Sequence, residues 1–304
     1  MFIYIFFKLS SFIVPFIPMR LGYGLAGLIG GLAYYIKPNA RAGIKGNLRQ
    51  ALGPEVSETI ISNLAKECFR SAAKNYYDLF RIPKLNLAQL QETVVVDGWD
   101  IVKAALADGH GAIAFSAHLG NLELIGQVLV AHNIKAVIPV EHVKPERLFQ
   151  LVTKARSSRG LRMIPTDGGA LREIYKALRE NSIVGMGADR AVQGTGVRIK
   201  FFGRETIMPD APAVLALRTG AKALPIQSTR QPDNTFRVKV HPPVEMVNTG
   251  NPHEDVRVNT EKVVRIMEDF IRANPGQWVV FEPMWDNKRE AQRKTVGAVA
   301  RGQS

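Results

Sequence analysis

A single cysteine, Cys68, occurs in 304 residues, so no intrachain disulfide can form and the thiol content gives no sign of an oxidising compartment. No Asp or Glu precedes Glu55. There is no G-x-S-x-G elbow, no P-loop and no H-E-x-x-H helix, which removes the usual signatures of serine hydrolases, nucleoside triphosphatases and zinc peptidases. The six histidines, at 110, 118, 132, 142, 241 and 253, do not fall at metal-ligand spacing, so no metal site is expected. Internal repeats and low-complexity linkers are also missing. One G-x-G-x-x-G match, GYGLAG at 22–27, lacks the preceding strand of a dinucleotide-binding unit. It sits inside an apolar run, where small residues serve close helix packing.

What is present is a basic chain of 33.6 kDa with net charge +13 and an isoelectric point near 9.9. The length suffices for one large α/β core or two smaller domains. Such a charge excess implies an anionic partner. The most concentrated basic run, KARSSRGLR at 154–162, has no interleaved aromatics, so nucleic acid is not the expected partner. Phosphate recognition and a solvated helix end are the two readings left for it.

The first 36 residues are strongly apolar, with no clean cleavage site and with apolar character running past residue 30. Pro15 and Pro18 interrupt the first run, and glycines weaken the second. This reads as a membrane anchor, either one spanning helix or a helical hairpin lying in the interface. A buried helix pair of a soluble domain is the alternative. Lys37, Arg41, Lys45 and Arg49 then recur every four residues, a cationic stripe suited to an anionic cytoplasmic leaflet.

Beyond a helical region at about 55–80, strand and helix patterns alternate. TVVVDG, GAIAFSA, KAVIPV, RMIPT, SIVGMGA, KALPIQSTR and TFRVKVHPPVEM read as strands. WDIVKAALADG, NLELIGQVLVAHN, PERLFQLVTKARSSRG, GALREIYKALREN, APAVLALRTG and TEKVVRIMEDFIRANPG read as helices. VRIKFFG reads as part of a loop. Strands alternating with helices of this length give an α/β fold with a mostly parallel sheet flanked by helices.

Chemistry concentrates in FSAHLGNLEL, residues 115–124. His118 stands where a buried strand meets the next helix, the place where α/β folds hold reactive groups. With His118 on the turn, Glu123 in the first helical turn is expected to reach back and fix the imidazole tautomer, as a carboxylate does for a general base. No protein nucleophile lies between them, so the base acts on a substrate hydroxyl.

HLGNLE resembles the H-x₄-D/E motif of glycerolipid acyltransferases. More narrowly it is similar to the HFGNWE form of the lipid A biosynthesis (lauroyl/myristoyl) acyltransferase family, which includes phosphatidylinositol mannoside acyltransferases. RAGIKGNLRQALG, ARSSRG, GADRAVQGTGVRIKFFGRETIMPDAPAVLALRTGAKALPI and NPGQWVVFEPMW extend the resemblance from about residue 20 to 287. GADR with FEPMW looks more like the mannoside-acylating branch than like lipid A enzymes.

The resemblance implies a glycerolipid-acyltransferase-like core with N-terminal membrane-associated helices. It implies His118 as general base with Glu123 as partner, and Asn121, Glu141, Arg156, Asp189 and Arg190 as substrate-binding residues. Arg156 or Arg190 is then available for the thioester oxyanion or for a phosphate. The expected reaction moves a fatty acyl group from acyl-CoA or acyl-carrier protein to a glycolipid or lysophospholipid hydroxyl. It needs no cofactor and takes place at the cytoplasmic face of the plasma membrane. The expected partners are a lipid acceptor, an anionic membrane surface and the thioester donor. An acyl-thioester hydrolase and a non-catalytic basic membrane-binding protein are the alternatives. The expected division is an anchor and basic helix at 1–50, an acyltransferase domain at 51–290 and a basic tail at 291–304.

Overall fold

The computed structural model describes residues 2–166, 168–191 and 195–285. The basic tail at 291–304 lies outside the described residues. In chain order the helices are α1 (Phe2–Ile13), α2 (Met19–Ile36), α3 (Pro38–Leu52), α4 (Glu58–Arg81), α5 (Leu87–Thr93), α6 (Trp99–Ala107), α7 (Leu122–Ala131), α8 (Glu146–Ser157), α9 (Ala170–Arg179), α10 (Ala211–Thr219) and α11 (Pro252–Ala273). The strands are β1 (Val94–Asp97), β2 (Ala112–Ser116), β3 (Ala136–Val140), β4 (Arg162–Pro165), β5 (Ile183–Gly187), β6 (Val197–Phe201), β7 (Arg204–Met208), β8 (Lys222–Arg230) and β9 (Phe236–Val240).

Seven strands form one sheet in the order β1-β9-β8-β2-β5-β3-β4. Every neighbouring pair in it is parallel except β8 and β9. The central strand β2 is buried on both faces because its side chains alternate between two cores. Ile113 and Phe115 join the core built with α3, α4, α9, α10 and α11, whereas Ala112 and Ala114 face α5, α6 and α7. The result is an α/β sandwich with helices on both sides of a mostly parallel sheet. On the α6–α7 side a wholly apolar cavity of about 40 Å³ remains, lined among others by Trp99, Ala114, Ile125, Val128 and Ile226.

Two elements differ from the sequence reading. VRIKFFG does not lie in a loop: it supplies β6 of an antiparallel hairpin with β7, separate from the main sheet. Phe202 (φ 50°) and Gly203 (φ 78°) make its two-residue turn. Two positive φ angles give the twist that joins tight hairpins, but Phe-Gly carries that geometry without the Asn-Gly signature. The strand read in TFRVKVHPPVEM stops at Val240, because Pro242 and Pro243 have no N–H to give a ladder.

The N-terminal helices lie on α4. The inner face of α2 carries Gly22, Tyr23, Ala26, Gly30 and Tyr34, all buried. A Cβ at Gly30 would run into the backbone of Phe69 and Arg70, so this glycine sets how closely α2 and α4 approach. That is the packing role expected for the small residues of this run. The outer faces are apolar and open: Phe12 is 75% exposed, Leu28 73% and Phe16 67%, along with Phe6, Leu9, Leu25, Ile29 and Leu32. Among the described residues no helix is long and apolar enough to cross a membrane, so a spanning anchor has no support here. On α3, Lys45 and Arg49 both pair with the exposed Glu58, so half of the cationic stripe is engaged in surface ion pairs within the chain.

Candidate active site

Strand β2 delivers its last residues to a tight turn before α7. Gly120 takes φ 63°, and a Cβ there would meet the carbonyl of Ser228 at 2.5 Å, so this position of the turn needs glycine. Asn121 then caps α7, its side chain accepting from the backbone N–H groups of Glu123 and Leu124 at 3.1 and 3.3 Å. His118 sits on the turn itself. Its carbonyl accepts from Val279 N–H at 2.9 Å, tying the turn to the closing segment of the chain.

Among the described residues the His118 ring makes its hydrogen bond to Asp189 and not to α7. It lies against Gly187 at the end of β5, where an added Cβ would fall 2.6 Å from Cε1. Nδ1 is 2.6 Å from Oδ1 of Asp189, and the backbone N–H of His118 donates to Oδ2 of the same carboxylate at 2.9 Å. Trp278 Nε1 donates to Oδ2 at 2.8 Å. Asp189 and Trp278 are completely buried, while 36% of the His118 side chain stays accessible. With Nδ1 committed inward, Nε2 is the nitrogen left for a substrate.

Electrostatics follow from this packing. Burial opposes protonation of the imidazole, but the Asp189 charge and hydrogen bond outweigh it, so the His118 pKa lies above its ordinary value. Burial of Asp189 acts in the opposite sense to its partners. The adjacent His118 and the donors of His118 and Trp278 win, and its carboxyl lies below the usual range.

This corrects the sequence reading of the pair. Glu123 is not the partner of the imidazole. It receives Nε of Arg156 at 2.9 and 2.8 Å on its two oxygens, and Arg156 Nη2 closes the fork. The physical reason is direction: the ring leans across the sheet onto β5, whereas Glu123 projects from α7 towards α8. Arg190, beside Asp189, donates to Glu141 at 2.9 Å, with Glu282 3.8 Å away. The named residues thus resolve into three pairs, His118–Asp189, Glu123–Arg156 and Glu141–Arg190, with Asn121 as the helix cap. His118, Glu141, Asp189 and Arg190 follow the C-terminal ends of β2, β3 and β5, which are neighbours in the sheet. Among the described residues no cluster of three His, Cys, Asp or Glu is placed to hold a metal.

A second buried network lies under the turn, and the sequence reading missed it. Asp78 of α4 accepts from Tyr23 Oη at 2.6 Å, from Asn121 Nδ2 at 2.7 Å and from Arg230 Nη2 at 2.6 Å. Asn75, one turn earlier, donates to the carbonyl of Gly120 at 2.6 Å. Burial and the Asp78 charge push the Tyr23 phenol up, so it remains a donor. The available signal was an acid within the apolar spacing of NYYDLF, on the face that packs inward. Trp278 was likewise visible only as part of the closing block.

The sequence profile described as bacterial lipid A biosynthesis acyltransferase matches residues 1–287. A phosphatidylinositol mannoside acyltransferase of Mycobacterium tuberculosis is 29% identical over 260 residues, covering 84% of this chain and 80% of that protein. Another, from Mycolicibacterium smegmatis, is 26% identical over 276 residues, covering 90% and 88%. With a family match across nearly its whole length, the chain belongs to the bacterial lipid A biosynthesis acyltransferase family and is an acyltransferase.

Proposed function

We propose that this acyltransferase moves a fatty acyl group from acyl-CoA or acyl-carrier protein to a sugar hydroxyl of a phosphatidylinositol mannoside-like glycolipid. His118 is the general base in this reading. The observation that carries it is the buried His118–Asp189–Trp278 arrangement, which holds Nδ1 and leaves Nε2 for substrate. Asp189 then fills the orienting role for which Glu123 was expected.

The acceptor O–H gives its proton to Nε2 as its oxygen attacks the thioester carbonyl carbon. A C–O bond forms and the carbonyl electrons move to the oxyanion. Collapse breaks the C–S bond, and the proton on Nε2 passes to the departing thiolate. The products are an ester, a free thiol and neutral His118. No acyl-enzyme forms, and the thioester enters as a substrate. Arg190 and Glu141, partly exposed beside Asp189, are placed to meet sugar hydroxyls or a phosphate. Arg156 is held by Glu123, so that pair shapes the cleft from α7 and α8. The apolar cavity under α7 offers the direction for an acyl chain. Its volume of about 40 Å³ is small beside a fatty acyl chain, so α6 or α7 is expected to shift when a chain enters.

The exposed apolar rows of α1 and α2 support an interfacial seat on the membrane, with Lys8, Arg20 and Lys37 available to anionic headgroups. A face of this extent is unusual for a surface that meets only water. With the charge of the chain, it favours the cytoplasmic leaflet.

The test is transfer from radiolabelled acyl-CoA, and separately from acyl-carrier protein, into membranes containing phosphatidylinositol mannosides, with wild type beside His118→Ala. Label in one glycolipid, lost with His118→Ala, is expected. Equal labelling by both proteins, or release of free fatty acid alone, overturns the reading.

A further inference from the structure

We propose that Tyr23 and Asp78 are positioning residues that couple the lipid-facing helix pair to the catalytic turn, so that seating α2 at a lipid surface sets the geometry of His118. The proposal rests on the general-base and membrane readings given above and goes beyond both.

Three observations carry it. First, α2 has two faces with different partners. Its outer face is open and apolar, while its inner face buries Tyr23 against α4, ring to ring with Tyr77 at 5.0 Å. Second, Tyr23 addresses two members of the buried network at once. Its hydroxyl donates to Asp78 at 2.6 Å, and its ring lies 5.1 Å from the guanidinium carbon of Arg230. Third, the same carboxylate holds Asn121, the cap of α7, three positions after His118. The catalytic turn is therefore two hydrogen bonds away from the helix that faces lipid.

The network is also incompletely satisfied. Arg230 is 8% exposed, yet its Nε and Nη1 have no hydrogen-bond partner among the described residues. Buried polar groups left this way favour rearrangement, because a small shift that pairs them is rewarded in a low-dielectric interior. A displacement of α2 moves the Tyr23 donor and the ring over Arg230 together. Asp78, Asn121 and Gly120 follow, since Asn75 holds the Gly120 carbonyl from the same helix. Asp189, itself held by Trp278, fixes the ring at Nδ1, so motion of the turn alters where Nε2 meets the acceptor.

The experiment uses full-length protein, wild type and Tyr23→Phe, which removes one hydroxyl and keeps the ring. Vesicles of phosphatidylcholine and phosphatidylglycerol at 3:1, with and without phosphatidylinositol mannoside, are compared with a detergent-dispersed acceptor. Wild type is expected to show a higher kcat on vesicles than in detergent. Tyr23→Phe is expected to bind vesicles as wild type does and to keep the KM for acyl-CoA. Its kcat on vesicles is expected to fall about tenfold, the equivalent of one hydrogen bond to a charged group.

A second readout does not depend on turnover. The rate of diethyl pyrocarbonate modification of the His118 peptide, followed by mass spectrometry, is expected to change on adding acceptor-free vesicles in wild type and not in Tyr23→Phe. A Tyr23→Phe protein with wild-type kcat and the wild-type vesicle response of His118 overturns the coupling. So does a wild type whose His118 reactivity ignores vesicles. Absence of any acyl transfer by wild type overturns the proposed reaction alone, because the modification arm still reads the coupling.

Discussion

Nδ1 of His118 and Oδ1 of Asp189 lie 2.6 Å apart although the residues are 71 positions apart in sequence. Adjacent parallel strands, β2 and β5, bring them together. The pair ties stability to pH with a definite sign. The raised His118 pKa gives a contribution that is complete below the ordinary histidine value and is lost as pH rises through the raised value. The lowered Asp189 pKa gives a contribution present above the ordinary carboxylate range and lost as pH falls through the lowered value. The gap in Tm between wild type and His118→Ala is therefore expected to narrow as pH rises from about 6 to 9. Thermal unfolding across that range checks it, and a gap that widens contradicts it.

Gly187 is the floor on which the His118 ring rests. A methyl group there would fall 2.6 Å from Cε1 of His118, closer than carbon atoms approach. Gly187→Ala is expected to displace the ring and lower kcat on the order of 10²-fold, as a misplacement of about 1 Å does. Circular dichroism is expected to stay like that of wild type. Unchanged kinetics would show that the ring is held elsewhere.

Glu123 and Asp189 separate by their kinetic signatures. Glu123→Gln weakens the fork to Arg156 and is expected to destabilise the fold by about 1–3 kcal/mol. It is expected to leave the acid limb of the pH–rate profile close to its wild-type position, because Glu123 contributes least to the His118 shift. A double-mutant cycle with Arg156→Met is expected to return a coupling of about 0.5–3 kcal/mol. Additive effects of the two substitutions would contradict the pairing.

The apolar faces of α1 and α2 predict where lipid binding resides. Phe12 and Leu28 are among the most exposed large side chains, so Asp at both positions should leave the Tm nearly unchanged. Affinity for anionic vesicles is expected to fall on the order of 10²–10⁴-fold, at about 1.5–3 kcal/mol for each of the two apolar side chains kept in water. Sedimentation with vesicles measures it.

Much of this arrangement was legible along the chain. Apolar strands such as GAIAFSA, alternating with helices closed by glycine, made the mostly parallel sheet readable. HLGNLE marked the turn that carries His118. The partner of His118 was not legible in the same way. Choosing Asp189 over Glu123 requires the strand order, which sets β5 beside β2, and the direction of the ring over Gly187. Both arise from packing across the sheet, where local spacing carries no information. Asp78 was hidden for a similar reason: its ligands come from α2, α7 and β8. The β6–β7 hairpin was missed because Phe202 adopts a turn conformation that its side chain does not advertise.

The most direct measurement is kcat/KM for acyl transfer against pH, with wild type and Asp189→Asn side by side. A general base works unprotonated, so wild-type activity is expected to rise with pH through the raised His118 pKa. Asp189→Asn removes the charge that raises it. The account predicts an acid limb moved to lower pH, together with a plateau lowered about 10²–10⁴-fold. An acid limb that stays in place at an undiminished plateau would contradict His118 as a base held by Asp189.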